Sequence, residues 1–217
     1  MNDELLNDGM MDKKELMRRL EEDTKVFKNP AVKAAFEAID RRDFVGDDYS
    51  FEAYEDYPLP TKNGQTISQP TTVAFMLELL DPQKGDHVLD IGSGSGWTSV
   101  LLGHIVGKDG KVVGTEIQPE LVEQGRNNLK KYKDLPVEIM LADKEAGMLR
   151  KGPYNRILGG AAFKDKNDQS IAELLLQLLS GGVMVVPAGD SIFKFEKKDD
   201  DEYFETEYPG FAFVPYV

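Results

Sequence analysis

The sequence predicts an α/β fold built on a mostly parallel sheet, with a helical extension before it. The main observation is that strand-like and helix-like segments alternate from Asp86 onward, as they do in parallel βαβ units. A second observation is that "SIFKFEKK" and "YFETEYPGFAFVPYV" flank the acidic run "DDDE". These segments predict a terminal antiparallel hairpin with a solvated tip, and therefore a mixed edge on the sheet.

Composition limits the classes of protein that fit this chain. Its 217 residues, 41% of them hydrophobic and 30% charged, predict one domain (residues 1–217) with a substantial core. A formal net charge of -13 disfavours attraction to nucleic acid or to an anionic membrane surface. The chain has no cysteine, no secretory signal and no apolar run near the roughly 20 residues that span a bilayer. We therefore expect a cytoplasmic location, no metal, and neither nucleic acid nor membrane as a partner.

The first part of the chain predicts helices followed by an ordered loop. After an acidic lead of about 11 residues, "DKKELMRRLEE" and "AVKAAFEAID" each place apolar residues on one helical face. The aromatic and acidic segment "RRDFVGDDYSFEAYEDYPLPTKNG", broken by two prolines, predicts an ordered loop. Within it Tyr54, Asp56 and Tyr57 either wall a peptide groove or pack on the core. Residues 1–70 thus form a lead-in and covering loop, and residues 71–217 form the sheet-containing core and hairpin.

The core elements follow in a regular order. Pro70 suits the first turn of a helix, and Pro119 with Glu120 opens another as a helix start should. The predicted strands are "HVLDIG", "KVVGTEI", "VEIMLAD", "YNRILGG" and "VMVVPAG". The helices between them are "WTSVLLGHIVG", "PELVEQGRNNLKKY" and "IAELLLQLLSGG", the last closed by its glycines.

The turn after the first of these strands predicts a nucleotide site. Gly92, Gly94 and Gly96 allow a sharp turn and close approach of a ligand to the backbone. Asp90 just before the turn disfavours a pyrophosphate and suits a ligand with a cationic amino group. Glu116 ends the next strand, where carboxylates commonly bind the two ribose hydroxyls of an adenosine. Together these residues favour S-adenosylmethionine over NAD, and the alternative is that they only build the turn of an α/β protein.

Two further features have a functional and a structural interpretation. Asp143, which closes the third strand in "LAD", either accepts a hydrogen bond from an adenine amino group or is a surface aspartate at a strand end. In "GQTISQP", Ser68 either holds an acceptor oxygen or caps the helix that begins at Pro70. Gln65 and Thr66 would then order this segment over the donor.

These motifs stand in the order seen in one known family. The segments "RRDFV", "AYEDYPLP", "GQTISQP", "VLDIGSGSGW", "LLSGGVMVVPAG" and "FVPYV" make residues 30 to 217 resemble the protein-L-isoaspartate (D-aspartate) O-methyltransferases. The resemblance implies a class I methyltransferase core, Rossmann-like with a mixed, mostly parallel seven-stranded sheet, and S-adenosylmethionine as donor. It also implies protein repair, by esterification of the free carboxylate of L-isoaspartyl or D-aspartyl residues in damaged proteins. The partners would be proteins or peptides that contain isoaspartate, and we expect a monomer.

The resemblance also implies the site residues. Ser68 matches the residue assigned to catalysis in the family. Residues predicted to contact the donor are Gln65, Thr66, Ile67, Asp90, Gly92, Ser93, Gly94, Gly96, Glu116, Ile117, Asp143 and Lys144. A carboxylate nucleophile, with a pKa of about 3.5, is already ionised at neutral pH, so no general base is needed. His87 and His104 are accordingly interpreted as structural or exposed.

Three departures from the family pattern leave other functions open. Lys144 stands where the family usually has glycine, and Asn155 stands where it has aspartate. The segment "GGAAFKDKNDQS" is longer than its family counterpart and lacks proline. The alternatives are a class I methyltransferase with another acceptor, such as a small molecule or RNA, and a donor-binding interaction module without catalysis.

Overall fold

The computed structural model describes residues 9–198 and 202–216, so most of the predicted acidic lead and of the "DDDE" turn lies outside the described residues. The N-terminal part contains α1 (Lys13–Arg18), which continues as a π-helical turn (Arg19–Asp23), α2 (Pro30–Ala38), the short strands β1 (Leu59–Pro60) and β2 (Thr66–Ile67), and α3 (Pro70–Leu80). The remainder contains β3 (His87–Ile91), α4 (Trp97–Val106), β4 (Lys111–Glu116), α5 (Pro119–Leu129), β5 (Val137–Leu141), β6 (Tyr154–Gly159), α6 (Gln169–Leu176), β7 (Leu178–Ala188), β8 (Ser191–Lys197) and β9 (Tyr203–Pro209).

The main sheet has seven strands in the order β5-β4-β3-β6-β7-β8-β9. The first five of these pair in parallel, and β8 and β9 add antiparallel at one edge, which confirms the predicted mixed sheet. The chain builds outward from β3 to β5 and then crosses to β6 on the other side of β3. Ligands of open α/β sheets bind at the carboxyl ends of the strands at such a reversal.

Both faces of the sheet are covered. Val88 and Leu89 are consecutive residues of β3, and both are fully buried, but they belong to two different apolar clusters. Because neighbouring strand residues point to opposite faces, each face must have its own apolar layer. The helices α2, α3 and α4 pack on one face, and α6 packs on the other. No helix in the described ranges has the length and apolar character needed to cross a bilayer.

The N-terminal extension packs directly on this core. The ring of Phe36 in α2 contacts Trp97 in α4 edge-on, with centroids 5.6 Å apart. The Tyr132 hydroxyl after α5 donates to the Asp43 carboxylate at 2.6 Å and accepts from the Asp40 backbone N–H at 3.2 Å. These contacts fix the extension against two helices of the core.

The boundary between α6 and β7 differs from the prediction. The sequence predicts a helix that runs to the glycines of "SGG", whereas α6 ends at Leu176 and β7 already begins at Leu178. Leu178 pairs with Tyr154 at the start of β6, so the neighbouring strand draws this apolar stretch into the sheet. The predicted last strand is also too long, because β9 ends at Pro209 and Gly210 follows with a positive φ of 95°.

Candidate active site

A cavity of about 640 Å³ lies at the carboxyl ends of β3, β4, β5 and β6, at the reversal of strand order. Its wall brings together several of the predicted site residues: Gln65, Thr66, Gly92, Gly94, Glu116, Ile117, Asp143 and Lys144. The other predicted site residues, namely Ile67, Ser68, Asp90, Ser93 and Gly96, lie behind or beside this wall. Within the described part of the chain, no group of histidine, aspartate and glutamate side chains is arranged to hold a metal ion.

The glycine turn (residues 92–96) presents bare backbone to the cavity. Gly92, Gly94 and Gly96 all have positive φ angles, of 71°, 52° and 91°. Residues other than glycine rarely adopt such angles. The backbone N–H groups of Gly92 and Ser93 donate to the Thr115 carbonyl at 2.8 and 2.9 Å and tie the turn to β4. A ligand can therefore approach the main chain of the turn without meeting a side chain.

Glu116 is held rigidly at the end of β4. Its side chain accepts from the backbone N–H of Gly94 at 3.0 Å through one carboxylate oxygen and from that of Gln118 at 3.0 Å through the other. A carboxylate has about four acceptor positions, so two remain for a ligand. This arrangement suits a pair of adjacent hydroxyl groups, such as those of a ribose.

The loop after β6 crosses the glycine turn in close contact. The Gly160 N–H donates to the Ile91 carbonyl at 2.7 Å, and a Cβ at Gly160 would lie only 2.7 Å from the Gly92 carbonyl oxygen. No side chain fits at that distance. Gly160 and Ala161 thus form the part of the cavity wall that faces the glycine turn.

The C-terminal segment closes the same side of the cavity. The Ala162 N–H donates to the Val214 carbonyl at 2.8 Å, and the Tyr216 N–H donates to the Ala162 carbonyl at 2.7 Å. The Phe163 and Tyr216 rings are in contact, with centroids 4.3 Å apart. Val214, Pro215 and Tyr216 line the cavity, although they are not among the site residues predicted from the sequence. The motif "FVPYV" was the signal that could have identified them.

Asp90 is buried behind the glycine turn. One of its oxygens accepts from the Thr98 and Ser99 hydroxyls at 2.7 and 2.6 Å, while the other has no partner among the described residues. Burial raises the pKa of Asp90 to about 6. The Ser93 hydroxyl is also buried without a partner in the described part of the chain.

Asp90→Asn is expected to stabilise the donor-free protein at neutral pH. The pKa of Asp90 is raised on folding from 3.8 to about 6, so the folded state binds the proton more tightly and stability falls as pH rises between these values. The amide carries no charge, so the variant should gain up to about 3 kcal/mol above pH 6 and nothing below pH 4. Urea unfolding at pH 4 and pH 7 measures this. The exposed Asp109→Asn serves as the control, and equal destabilisation of Asp90→Asn at both pH values would contradict the expectation.

The cover segment (residues 65–68) lies over one side of the cavity. Gln65 and Thr66 line the cavity, while Ile67 is buried in the core beneath them. Ser68 is half-buried, and its hydroxyl makes no hydrogen bond to any residue that the structure describes.

The helix-cap interpretation of Ser68 is wrong. The N-cap of α3 is Gln69, without a side-chain cap bond, and Asp56 supplies the carboxylate instead. Asp56 accepts from the Thr71 backbone N–H at 2.9 Å and from the Thr71 hydroxyl at 2.6 Å. Within the aromatic loop, Tyr54 is buried and donates to Asp40, so it packs on the core, whereas Tyr57 is 40% exposed and donates to Glu52. Ser68 needs another explanation.

Arg41 holds the backbone around Ser68. The side chain is buried and its charge lies over the Trp97 ring, 5.2 Å from the centroid. Its guanidinium donates, at 2.8 to 3.2 Å, to the carbonyls of Ala53, Glu55, Tyr57 and Ser68. Burial lowers the pKa of Arg41 to about 10, which leaves it protonated at neutral pH. No periodic pattern indicated this role, although "RRDFV" marked the position.

The departures from the family pattern lie mostly away from the cavity. The Asn155 side chain accepts from the His87 N–H at 2.8 Å, at the amino ends of β6 and β3 and therefore opposite the glycine turn. Lys166 of the divergent loop forms an ion pair with Glu205 of β9 at 2.7 Å. Lys144 lies in the cavity wall, where it is exposed, and the divergent segment contributes Gly160, Ala161 and Ser170 to that wall.

The residues present fit the adenosyl donor that the sequence implies. Gly92 and Gly94 of the glycine turn, the doubly held Glu116 and the exposed Asp143, paired with Arg150 at 3.2 Å, line one continuous cavity. The two glycines allow close approach of a ligand, Glu116 has two acceptor positions free, and the Asp143 carboxylate can accept hydrogen bonds. The assignment of individual contacts to these residues stays a prediction.

Comparison with known proteins places this site in context. Residues 11–217 match the family model described as Protein-L-isoaspartate(D-aspartate) O-methyltransferase (PCMT). The protein-L-isoaspartate O-methyltransferase of Methanopyrus kandleri is 41% identical over 191 residues, covering 86% of this chain and 83% of that protein. The enzyme of the same name from Methanospirillum hungatei is 36% identical over 213 residues, covering 97% and 95%.

Solved structures show the same fold. A protein-L-isoaspartate O-methyltransferase structure superposes with a TM-score of 0.83 at 25% identity and covers 95% of this chain and 66% of that one. A Plasmodium falciparum structure in complex with S-adenosyl-L-homocysteine gives a TM-score of 0.80 at 20% identity, with 94% and 98% covered. The second likeness is evidence for the fold alone.

Proposed function

This chain belongs to the protein-L-isoaspartate (D-aspartate) O-methyltransferase family, and we propose that it methylates the free carboxylate of L-isoaspartyl or D-aspartyl residues in damaged proteins. The donor is S-adenosylmethionine, and the activity is protein repair. The observation that carries the proposal is the single cavity in which the glycine turn, Glu116 and the cover segment meet. Its partners are proteins and peptides that contain isoaspartate.

Each part of the cavity has a proposed task in donor binding. S-adenosylmethionine supplies a methyl group activated by its sulfonium when it is bound. Glu116 accepts the two ribose hydroxyls with the acceptor positions that Gly94 and Gln118 leave free. Asp143 lies on the side proposed for the adenine. Gln65 and Thr66 line the cavity, and we assign to them the task of covering the bound donor.

The reaction requires alignment more than acid or base chemistry. The acceptor carboxylate is ionised at neutral pH, since its pKa is about 3.5. Holding the reacting groups in line can supply ~7–11 kcal/mol. We assign that task to Ser68, whose hydroxyl is free to donate to an acceptor oxygen and whose carbonyl is held by Arg41 at 3.0 Å.

The alternatives lose much of their motivation. Asn155, the residue that suggested a loss of catalysis, accepts a hydrogen bond from the first residue of β3, at the opposite end of the sheet from the cavity. The divergent loop that suggested another acceptor contributes Gly160 and Ala161 to the cavity, whereas Lys166 points to β9. An acceptor assay distinguishes these functions.

We further propose one domain over residues 1–217, a monomer, and a cytoplasmic location without a nucleic acid partner. The net charge of -13 supports the last point, because nucleic acid carries dense negative charge.

Methylation of a matched peptide pair tests the function. The protein is incubated with tritiated donor and with an isoaspartyl peptide or its aspartyl counterpart of identical sequence. We expect tritium in the isoaspartyl peptide alone. Donor binding without methylation of either peptide would overturn the proposed acceptor and leave the fold unaffected.

Ser68→Ala is expected to lower kcat by about ten- to a hundredfold, because one hydrogen bond to the reacting group is lost. Donor affinity and melting temperature should stay unchanged, since the hydroxyl makes no bond within the described structure. The contrasting variant is Asp56→Ala, which should cost about 1 kcal/mol of stability as for a lost helix cap. A Ser68→Ala protein that loses stability to the same extent but keeps its kcat would remove the catalytic assignment.

A further inference from the structure

One side of the cavity is an irregular stretch of chain, the wall segment (residues 143–147), which follows β5 and belongs to no helix or strand. All five of its residues line the cavity. An irregular segment has no ladder of backbone hydrogen bonds to fix its shape, so other groups must do so. What holds this segment therefore determines the shape of the donor site.

The group that holds it is the Gln177 side chain at the end of α6. Gln177 is 4% exposed and does not line the cavity. Its amide nitrogen donates to the Ala146 carbonyl at 2.8 Å, and its amide oxygen accepts from the Met148 N–H at 3.0 Å. The side chain thus pairs with the residues on both sides of Gly147, much as a neighbouring strand would.

Gly147 shows how closely the two parts fit. A Cβ at this position would lie 2.7 Å from both the nitrogen and the oxygen of the Gln177 amide. Gly147 also has a positive φ of 86°. The amide lies flat against the backbone of the wall segment, so a substitution of Gln177 changes the packing of that backbone.

The other contacts of this region are weaker or lie outside the wall segment. The Asp143–Arg150 ion pair is exposed, and such pairs stabilise little. The Glu173 carboxylate accepts from the Ala146 N–H at a long 3.3 Å. The buried Tyr154 hydroxyl donates to the Met148 carbonyl at 2.7 Å, beyond the wall, and that carbonyl also accepts from the Lys151 N–H at 3.0 Å.

We propose that Gln177 is a positioning residue for donor binding: it sets donor affinity by holding residues 143–147 in the shape that forms the cavity wall. This inference rests on the proposed function in so far as the donor occupies this cavity. It separates two tasks, since Gln177 acts on donor affinity from behind the wall, whereas Ser68 acts on the transfer step.

Calorimetric titration with S-adenosyl-L-homocysteine, together with kcat at saturating donor, tests the inference. Gln177→Met keeps the length of the side chain but loses its three hydrogen bonds, the two to Ala146 and Met148 and one to the Glu173 carbonyl within α6. Donor Kd should therefore rise about ten- to a hundredfold while kcat stays within about twofold. Tyr154→Phe is the matched control. It also loses one buried hydrogen bond and should lower the melting temperature, but donor Kd should stay within about twofold because the wall keeps both of its Gln177 contacts.

Gln177→Glu adds a second measurement, the pH dependence of donor affinity, which a general loss of stability would not change in the same way. Its carboxylate still accepts from the Met148 N–H, but it donates to the Ala146 carbonyl only when protonated. Donor affinity should therefore recover as pH falls, relative to wild type. An unchanged Kd in Gln177→Met, or an equal rise in Tyr154→Phe, would overturn the inference. These titrations need no acceptor, so a failure of peptide methylation would not be mistaken for either result.

Discussion

Glu116→Gln is expected to weaken donor binding by about a hundredfold or more, which corresponds to the loss of two hydrogen bonds to a charged group. Both oxygens of Glu116 accept backbone N–H groups, from Gly94 and from Gln118. Glutamine has a single acceptor oxygen, so its NH₂ group would face one of these N–H donors. The change therefore removes one ribose acceptor and also disturbs the glycine turn.

Calorimetric titration with donor and with S-adenosyl-L-homocysteine measures this loss. The matched control is Glu123→Gln, an exposed residue of α5 that makes no side-chain hydrogen bond within the described residues. Its donor Kd should equal that of wild type. A change of less than threefold in Glu116→Gln would show that the ribose is bound elsewhere.

Arg41→Met is expected to lower kcat by about a hundredfold, since small misplacements of a reacting group cost that much, and to destabilise the protein by about 3 kcal/mol. The variant leaves four backbone carbonyls without their donor, and one of them belongs to Ser68. Arg41→Lys should recover little of either loss, because an ammonium has three donors and lacks the planar fork of arginine. Donor Kd should change less than kcat, because the glycine turn and Glu116 are left intact.

Steady-state kinetics and urea unfolding separate the two effects. The neighbouring Arg42 is exposed and lies 5.0 Å above the Tyr54 ring, so Arg42→Met is a control with the same change in composition. It should cost no more than about 1 kcal/mol. Full kcat in a destabilised Arg41→Met protein would limit Arg41 to a structural role.

Much of the fold could be predicted because the relevant signals are local. Strands of apolar residues, the positive-φ glycines and the prolines at Pro70 and Pro119 act within a few residues of themselves. The end of α6 could not be predicted in this way. The apolar stretch after Leu176 satisfies a helical pattern as well as a strand pattern, and only the neighbouring β6 decides between them.

The residues of the site also differ in whether local sequence signals predict them. Glu116 and the glycine turn follow from strand ends, which a sequence marks well. Arg41, Gln177 and Val214 do not, because each acts through contacts with residues distant in the chain, such as Ser68, Ala146 and Ala162. Their residue types carry no information on those partners. The residues around Ser68 left a helix cap and an active-site role equally open, the family motif favoured the second, and the structure excluded the cap.

The hairpin of β1 and β2 has a consequence for how molecules enter and leave the site. Most of the cavity is formed by the ends of strands of the seven-stranded sheet. The cover segment, in contrast, belongs to a hairpin whose two strands have only two residues each, and the tip of this hairpin is exposed at Lys62, Asn63 and Gly64. Local unfolding starts where buried contacts are fewest. We therefore expect exchange of donor for product to occur through brief opening of this hairpin while the sheet stays folded, so that a weakly held part of the fold controls access to the reaction.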